Sequence, residues 1–148
     1  MDNIVFNQQV QEFGALWHRL LILDQMKDYE QKFPNFLSLT TNEISVIQIV
    51  SVNPDIILKS ICEILDLPKS TLTNTINRLE EKGYLFRTIT KKDLRSYGLS
   101  LTEKGIQVQK EYIEYEHQVF RKILETLEAE ERTEFLSLMK KITMNLAE

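Results

Sequence analysis

The stretch Asp66-Leu67-Pro68-Lys69-Ser70-Thr71-Leu72-Thr73-Asn74-Thr75-Ile76-Asn77-Arg78-Leu79-Glu80-Glu81-Lys82-Gly83 decides the fold. From Lys69 onward, Leu72, Ile76 and Leu79 recur at i, i+4 and i+7, the spacing of one narrow helical stripe, and nearly everything between them is polar. Gly83 can take the left-handed conformation that ends a helix, so the pattern predicts a helix over 69–82. Asp66-Leu67-Pro68 interrupts the preceding periodic segment, in which Ile57, Leu58, Ile61 and Ile64 or Leu65 share a face. Asn53-Pro54 reads as a cap followed by proline at the first helical position, which predicts that this earlier helix covers 54–65. Two helices joined by a three-residue turn result.

Beyond Gly83 the periodicity changes. Tyr84-Leu85-Phe86-Arg87-Thr88-Ile89-Thr90 is rich in aromatic and β-branched residues, as a strand is, and Ser96-Tyr97-Gly98-Leu99-Ser100-Leu101 can return beside it as a hairpin. Residues 91–95 form the polar tip. Thr102 then caps a long helix to about residue 127, with Ile106, Ile113 and Phe120 at heptad spacing, and a last helix near 129–146 carries Phe135, Leu138, Met139, Ile142 and Leu146 on one face. Upstream, a first helix is predicted over 3–27 with Phe6, Val10, Phe13, Trp17, Leu20 and Leu21 as its stripe. Residues 31–39, interrupted by Pro34, read as a loop or irregular turn. Thr40 and Glu43 have capping-box spacing and open a second helix whose Ile44, Ile47 and Val50 or Ile49 face inward. The fold class is therefore mainly α with a small β-hairpin: a winged helix-turn-helix over 40–102, flanked by long helices at 3–27 and 103–146 in a single chain of 148 residues.

Composition narrows the function. With 43% hydrophobic and 27% charged residues the chain is ordinary globular protein rather than a disordered one. Its single cysteine, Cys62, cannot close an intrachain disulfide or supply a thiolate zinc site, and reads as a small core hydrophobe. Met1-Asp2-Asn3-Ile4 is not a basic segment followed by an apolar run, and no stretch approaches the roughly 18 apolar residues of a membrane span, so a cytoplasmic protein is expected. His18 and His117, the latter three residues from Glu114, fall short of the three or four ligands a metal site needs. There is no Gly-rich phosphate loop, nucleophile elbow or metal-protease motif, which speaks against an enzyme, and no cofactor is implied.

Net charge is −4, but it is unevenly placed. Between residues 69 and 104, eight basic side chains face four acidic ones, a local +4 that leaves −8 for the rest. A basic island in an acidic chain suits contact with a phosphate backbone along one edge. A B-form major groove admits one α-helix bearing short polar groups outside and an apolar anchor behind. The helix at 69–82 has that division and no carboxylate before Leu79, which makes Lys69, Ser70, Thr71, Thr73, Asn74, Asn77 and Arg78 the candidate DNA contacts. At the tip, Lys91 and Lys92 are candidates for phosphate.

In order, the helix-turn-helix, Arg78-Leu79-Glu80-Glu81-Lys82-Gly83-Tyr84, Asp93-x-Arg95 and Leu99-Ser100-Leu101-Thr102-Glu103-Lys104-Gly105 form a compound motif. It resembles the MarR family of bacterial transcription regulators, most closely from about 40 to 106. The turn, Leu65-Asp66-Leu67-Pro68, departs from that pattern in lacking the glycine often found there. The resemblance implies a homodimer that binds pseudo-palindromic double-stranded DNA, with the helix at 69–82 in successive major grooves. It also implies that Arg95 enters the minor groove with Asp93 orienting it, and that a small-molecule effector controls binding. The expected function is sequence-specific transcription regulation, as a repressor. The rival is a winged helix that serves only as a protein-interaction module.

Overall fold

The computed structural model describes residues 2–23, 32–89 and 97–147. Residues 1–112 and 113–148 form separate compact units. The described elements are α1 (Asp2–Leu23), α2 (Pro34–Leu37), α3 (Thr41–Val52), β1 (Ile56–Ile57), α4 (Leu58–Leu65), α5 (Lys69–Glu81), β2 (Leu85–Ile89), β3 (Tyr97–Leu101), α6 (Glu103–Glu125) and α7 (Ala129–Leu146).

The core of the first unit lies where α3, α4 and α5 meet the sheet. Val46, Ile47 and Val50 from α3, Ile61 from α4, and Leu72, Ile76 and Leu79 from α5 are buried together with Leu85, Leu99 and Val108. The stripe read at 72, 76 and 79 is thus the anchor of α5. At about 1.5–3 kcal/mol for each fully buried side chain, these three residues do much to fix that helix against the lobe. On α3 the inward positions include Val46 as well as Ile47 and Val50, while Ile44 and Ile49 are half-buried. The expected capping box is present: the Thr40 hydroxyl accepts from the Glu43 amide at 3.2 Å, and the Glu43 carboxylate accepts from the Thr40 amide at 2.9 Å.

The sequence reading is corrected at three places. The helix expected from Pro54 begins at Leu58, because Asn53 closes α3 instead of opening α4. Its amide and side-chain Nδ2 both donate to the Ile49 carbonyl, at 3.1 and 3.0 Å, and Asp55 then turns the chain with φ of 62°. That turn produces β1, so the expected hairpin is a three-stranded antiparallel sheet in the order β1-β3-β2. Ile56 and Ile57 pair with Leu99 and Gly98, while β2 pairs with β3 from Leu85↔Leu101 to Ile89↔Tyr97. Gly98 is required at this junction: a Cβ there would lie 2.6 Å from the Asp55 carbonyl oxygen and 2.7 Å from Thr88 Oγ1. Lastly, the segment around Pro34 contains a helical turn. Proline at the first position loses no needed donor, and the turn buries Phe36 beside Phe33 and Leu39.

The turn between α4 and α5 answers the departure from the family pattern. Asp66 sits in the left-handed region with φ of 49° and ψ of 47°, its amide donating to the Cys62 carbonyl. Aspartate tolerates this conformation better than most residues, and glycine better still. Asp66→Gly is expected to leave stability unchanged or raise it by about 0.5 kcal/mol, and Asp66→Val to lower it by about 1–2 kcal/mol, as read by thermal unfolding.

The apolar stripe of α1 is not covered in the single chain. Phe6, Phe13 and Trp17 are exposed, Phe13 at 66%, with the Phe13 and Trp17 rings stacked at 6.2 Å between centroids. The first turns of α6 bury Gly105 and Val108 in the first unit, whereas the heptad residues Ile106, Ile113 and Phe120 stay exposed. Within the second unit, Arg132 donates to the Leu127 carbonyl at 2.7 Å, and Glu128 with Glu131 forms a capping box that starts α7. Phe135, Leu138, Met139 and Ile142 of that helix are exposed as well.

Candidate nucleic-acid interface

Helix α5 displays its polar residues opposite its anchor. Ser70, Asn74 and Asn77, at i, i+4 and i+7, form an exposed line, with Lys69 at the N-terminal end and Arg78 along the edge. Thr71 and Thr73 are half-buried beside that line, and the Thr73 hydroxyl donates to the Lys69 carbonyl at 2.8 Å. The first turn holds no acidic residue. Its unpaired backbone N–H groups therefore present a positive helix end to an approaching phosphate. Thr75 is fully buried, its hydroxyl donating to the Thr71 carbonyl at 3.0 Å.

Two residues that the sequence does not mark as partners of this helix hold it from either side. Glu43 of α3 is completely buried, and its carboxylate receives Arg78 Nε at 3.2 Å and Lys82 Nζ at 3.0 and 3.1 Å. Burial by itself pushes this carboxyl up, but the Thr40 amide, Lys82 and Arg78 together outweigh it and hold the group below its ordinary value of 4.5. Arg78, which was expected only to face DNA, thus divides its guanidinium between this anchor and the surface, with its side chain 50% exposed. On the other side, Arg87 of β2 reaches back to α5, donating to Asn77 Oδ1 at 2.6 Å and pairing with Glu80 at 3.0 Å. Its guanidinium also lies 4.7 Å from the centre of the Tyr97 ring. The only hint in the sequence was that Arg87 belonged to the basic island and Glu43 to a capping box.

The far end of α5 is tied to the start of α6 by the residues of the compound motif. Gly83 leaves the helix with φ of 78°, and its carbonyl accepts from the Thr102 hydroxyl at 2.6 Å. Thr102 donates its amide to the Tyr84 carbonyl at 3.0 Å and accepts from the Gly105 amide at 3.0 Å. Lys104 donates to the Lys82 carbonyl at 2.7 Å while lying over the Tyr84 ring. Two sequence motifs some twenty residues apart are therefore one physical joint. The expected tip contacts Lys91, Lys92, Asp93 and Arg95 lie outside the described residues. Cys62 is half-buried on α4, and His18 and His117 are exposed.

Three helices around a buried core, the second pair joined by a tight turn and followed by a small antiparallel sheet, define a winged helix-turn-helix protein. The comparisons place it further. The MarR family profile matches residues 37–96. The transcriptional regulator SarZ of Staphylococcus aureus is 31% identical over 97 residues, which span 64% of this chain and 66% of that one. Among solved structures, YusO of Bacillus subtilis superposes with a TM-score of 0.76 at 22% identity, covering 97% of each chain. FabT of Streptococcus pneumoniae, solved in complex with DNA, gives 0.74 at 23% identity over 95% of this chain and 94% of that one. The winged helix-turn-helix lobe is thus similar to the MarR family.

Proposed function

We propose that this protein is a sequence-specific DNA-binding transcription regulator, with a non-enzymatic role, that acts as a homodimeric repressor on a pseudo-palindromic operator. The observation that carries the reading is the division of α5, whose buried stripe of Leu72, Ile76 and Leu79 backs an exposed polar line free of carboxylates through Asn77. Such a helix fills a major groove, with Lys69, Ser70, Thr71, Thr73, Asn74, Asn77 and Arg78 toward bases and phosphates. Lys91, Lys92 and Arg95 would meet the backbone and minor groove, with Asp93 orienting Arg95. The lobe at 40–102 supplies this contact. The exposed apolar faces of α1, α6 and α7 support assigning 3–27 and 103–146 to dimerisation, since apolar helix faces left uncovered in the single chain mark an interface. Two copies of α5 would then lie about 34 Å apart, one DNA turn, which selects inverted repeats. A small molecule that bound one spacing more tightly than another would shift the protein on or off its operator. No helix among the described residues is long and apolar enough to cross a membrane.

The test is duplex binding at a series of salt concentrations. A regulator of this kind loses affinity linearly in log–log form as salt rises, and Arg95→Ala should make the slope shallower by about 1. Light scattering at micromolar concentration should give the mass of a dimer. Binding that is indifferent to salt, or no duplex binding at all, favours the protein-interaction reading.

A further inference from the structure

The contact between Arg87 and Asn77 joins the wing sheet to the exposed face of α5, and it constrains what that face can read. An asparagine amide has one oxygen that accepts and one nitrogen that donates, and its two ends are distinguished only by their partners. A guanidinium has donors alone. The 2.6 Å contact from Arg87 Nη2 therefore fixes Oδ1 of Asn77 toward β2, and Nδ2 points the other way. Arg87 is itself held on three sides: its Nε pairs with Glu80 at 3.0 Å, one helical turn along from Asn77, its face lies over Tyr97, and its backbone is opposite Leu99 in the β2–β3 ladder. With its own rotamer locked in this way, Arg87 can orient a neighbour.

We infer that Arg87 is a positioning residue that makes Asn77 a hydrogen-bond donor toward DNA and denies it the two-pronged pairing that selects adenine. An unconstrained asparagine in a major groove pairs with adenine in two-pronged fashion, receiving the N6 hydrogen on its oxygen while donating to N7. Here Arg87 occupies one of the two lone pairs of that oxygen and holds the amide turned toward β2, away from the two-pronged geometry. Nδ2 is left to donate to a single acceptor: a phosphate oxygen, N7 of either purine, guanine O6 or thymine O4, none of which singles out adenine. The same contact couples the two DNA-facing parts of the lobe, because Arg87 stands on the strand that leads into the wing while Asn77 and Glu80 stand on α5. A wing displaced from the helix would release Asn77 and change its preference.

This inference rests on the DNA-binding reading, and the experiment separates the two. Duplexes selected from a random pool by the wild-type protein, by Arg87→Ala and by Arg87→Lys are sequenced at one stated salt concentration. In the wild-type pool no half-site position should demand adenine through Asn77, so Asn77→Ala should remove no adenine preference. Arg87→Ala frees Oδ1, and about a tenfold enrichment of adenine is expected at one position per half-site, lost again in the Arg87→Ala/Asn77→Ala double variant. Arg87→Lys keeps a donor toward Asn77 and should keep the wild-type preference even where affinity falls. Thermal unfolding of the same single and double variants should be non-additive, which reports the contact without DNA. If the wild-type protein selects no duplex, the DNA-binding reading fails and takes this one with it. If it selects duplexes and Arg87→Ala selects the same ones, this inference alone is overturned.

Discussion

Gly105→Ala is expected to cost about 3 kcal/mol, at the upper end for forcing an extra methyl into a packed site, and to lower the thermal midpoint by roughly 6–12 °C. A Cβ at Gly105 would collide with the Tyr84 carbonyl oxygen, and it would lie 3.0 Å from the carbonyl carbon and 3.2 Å from Leu101 Cβ. The obstacle is backbone, which has no rotamer to change. Nor can that backbone move aside cheaply. The Tyr84 carbonyl already accepts the Thr102 amide, the Gly105 amide is spent on the Thr102 hydroxyl, and that hydroxyl closes the Gly83 carbonyl. Relieving the clash would open the joint between α5 and α6 and leave polar groups in it unpaired, at about 1–3 kcal/mol for each buried one. Gly14→Ala is the control. Nothing lies within 4 Å of a Cβ there, on a helix where alanine is preferred, so no loss of stability is expected. If Gly105→Ala unfolds at the temperature of Gly14→Ala, the packing of this joint is not what holds α6 to the lobe.

The glycine of the Leu-Ser-Leu-Thr-Glu-Lys-Gly motif thus has a cause in geometry, and it shows which parts of the molecule the sequence could reveal. Periodic burial was legible: Leu72, Ile76 and Leu79 were placed inward from spacing alone, and all three are fully buried. So was the local cap of α3, since the Thr40–Glu43 box depends on residues within one turn. What escaped depends on partners far along the chain. A strand of two residues shows no alternation, and β1 exists because Asp55 takes a left-handed turn and Gly98, more than forty residues on, lacks a Cβ. The Asn53-Pro54 pair satisfied a local rule for opening a helix, yet the Asn53 side chain found its acceptor behind it at Ile49. The candidate DNA contacts on α5 were legible as a polar face. That two of them, Asn77 and Arg78, are each held by a residue from another element was not, because neither Arg87 nor Glu43 carries a local mark of what it will touch.

Glu43→Ala should be the second costly change, at about 3 kcal/mol near neutral pH, and its acid profile should identify the cause. The carboxylate accepts charge-assisted bonds from Arg78 and Lys82 and caps α3 through the Thr40 amide. A bond to a charged group contributes about 1.5–3 kcal/mol and a cap about 0.5–2 kcal/mol. The sum is discounted because the side chains of Arg78 and Lys82 are 50% and 38% exposed and regain water when released. Glu43→Gln keeps an acceptor for the Thr40 amide and fills the space, so it should cost less, about 1–2 kcal/mol. The folded protein holds this carboxyl below its ordinary value of 4.5, so the unfolded chain binds the proton more readily. The contribution is then complete above about pH 4.5 and is lost as pH falls through the folded value. Midpoints measured from pH 7 down to pH 3 should converge for wild type and Glu43→Gln on the acid side, because the wild type loses there what the variant never had. Curves that stay parallel would remove the charge of Glu43 from the account and leave only its cap. The same anchor bears on function under the proposed DNA reading. Arg78 released from Glu43 has more rotamers to lose on meeting a phosphate, so Glu43→Gln should weaken duplex binding severalfold with little change in salt slope, as expected when pre-organisation falls and charge on α5 does not.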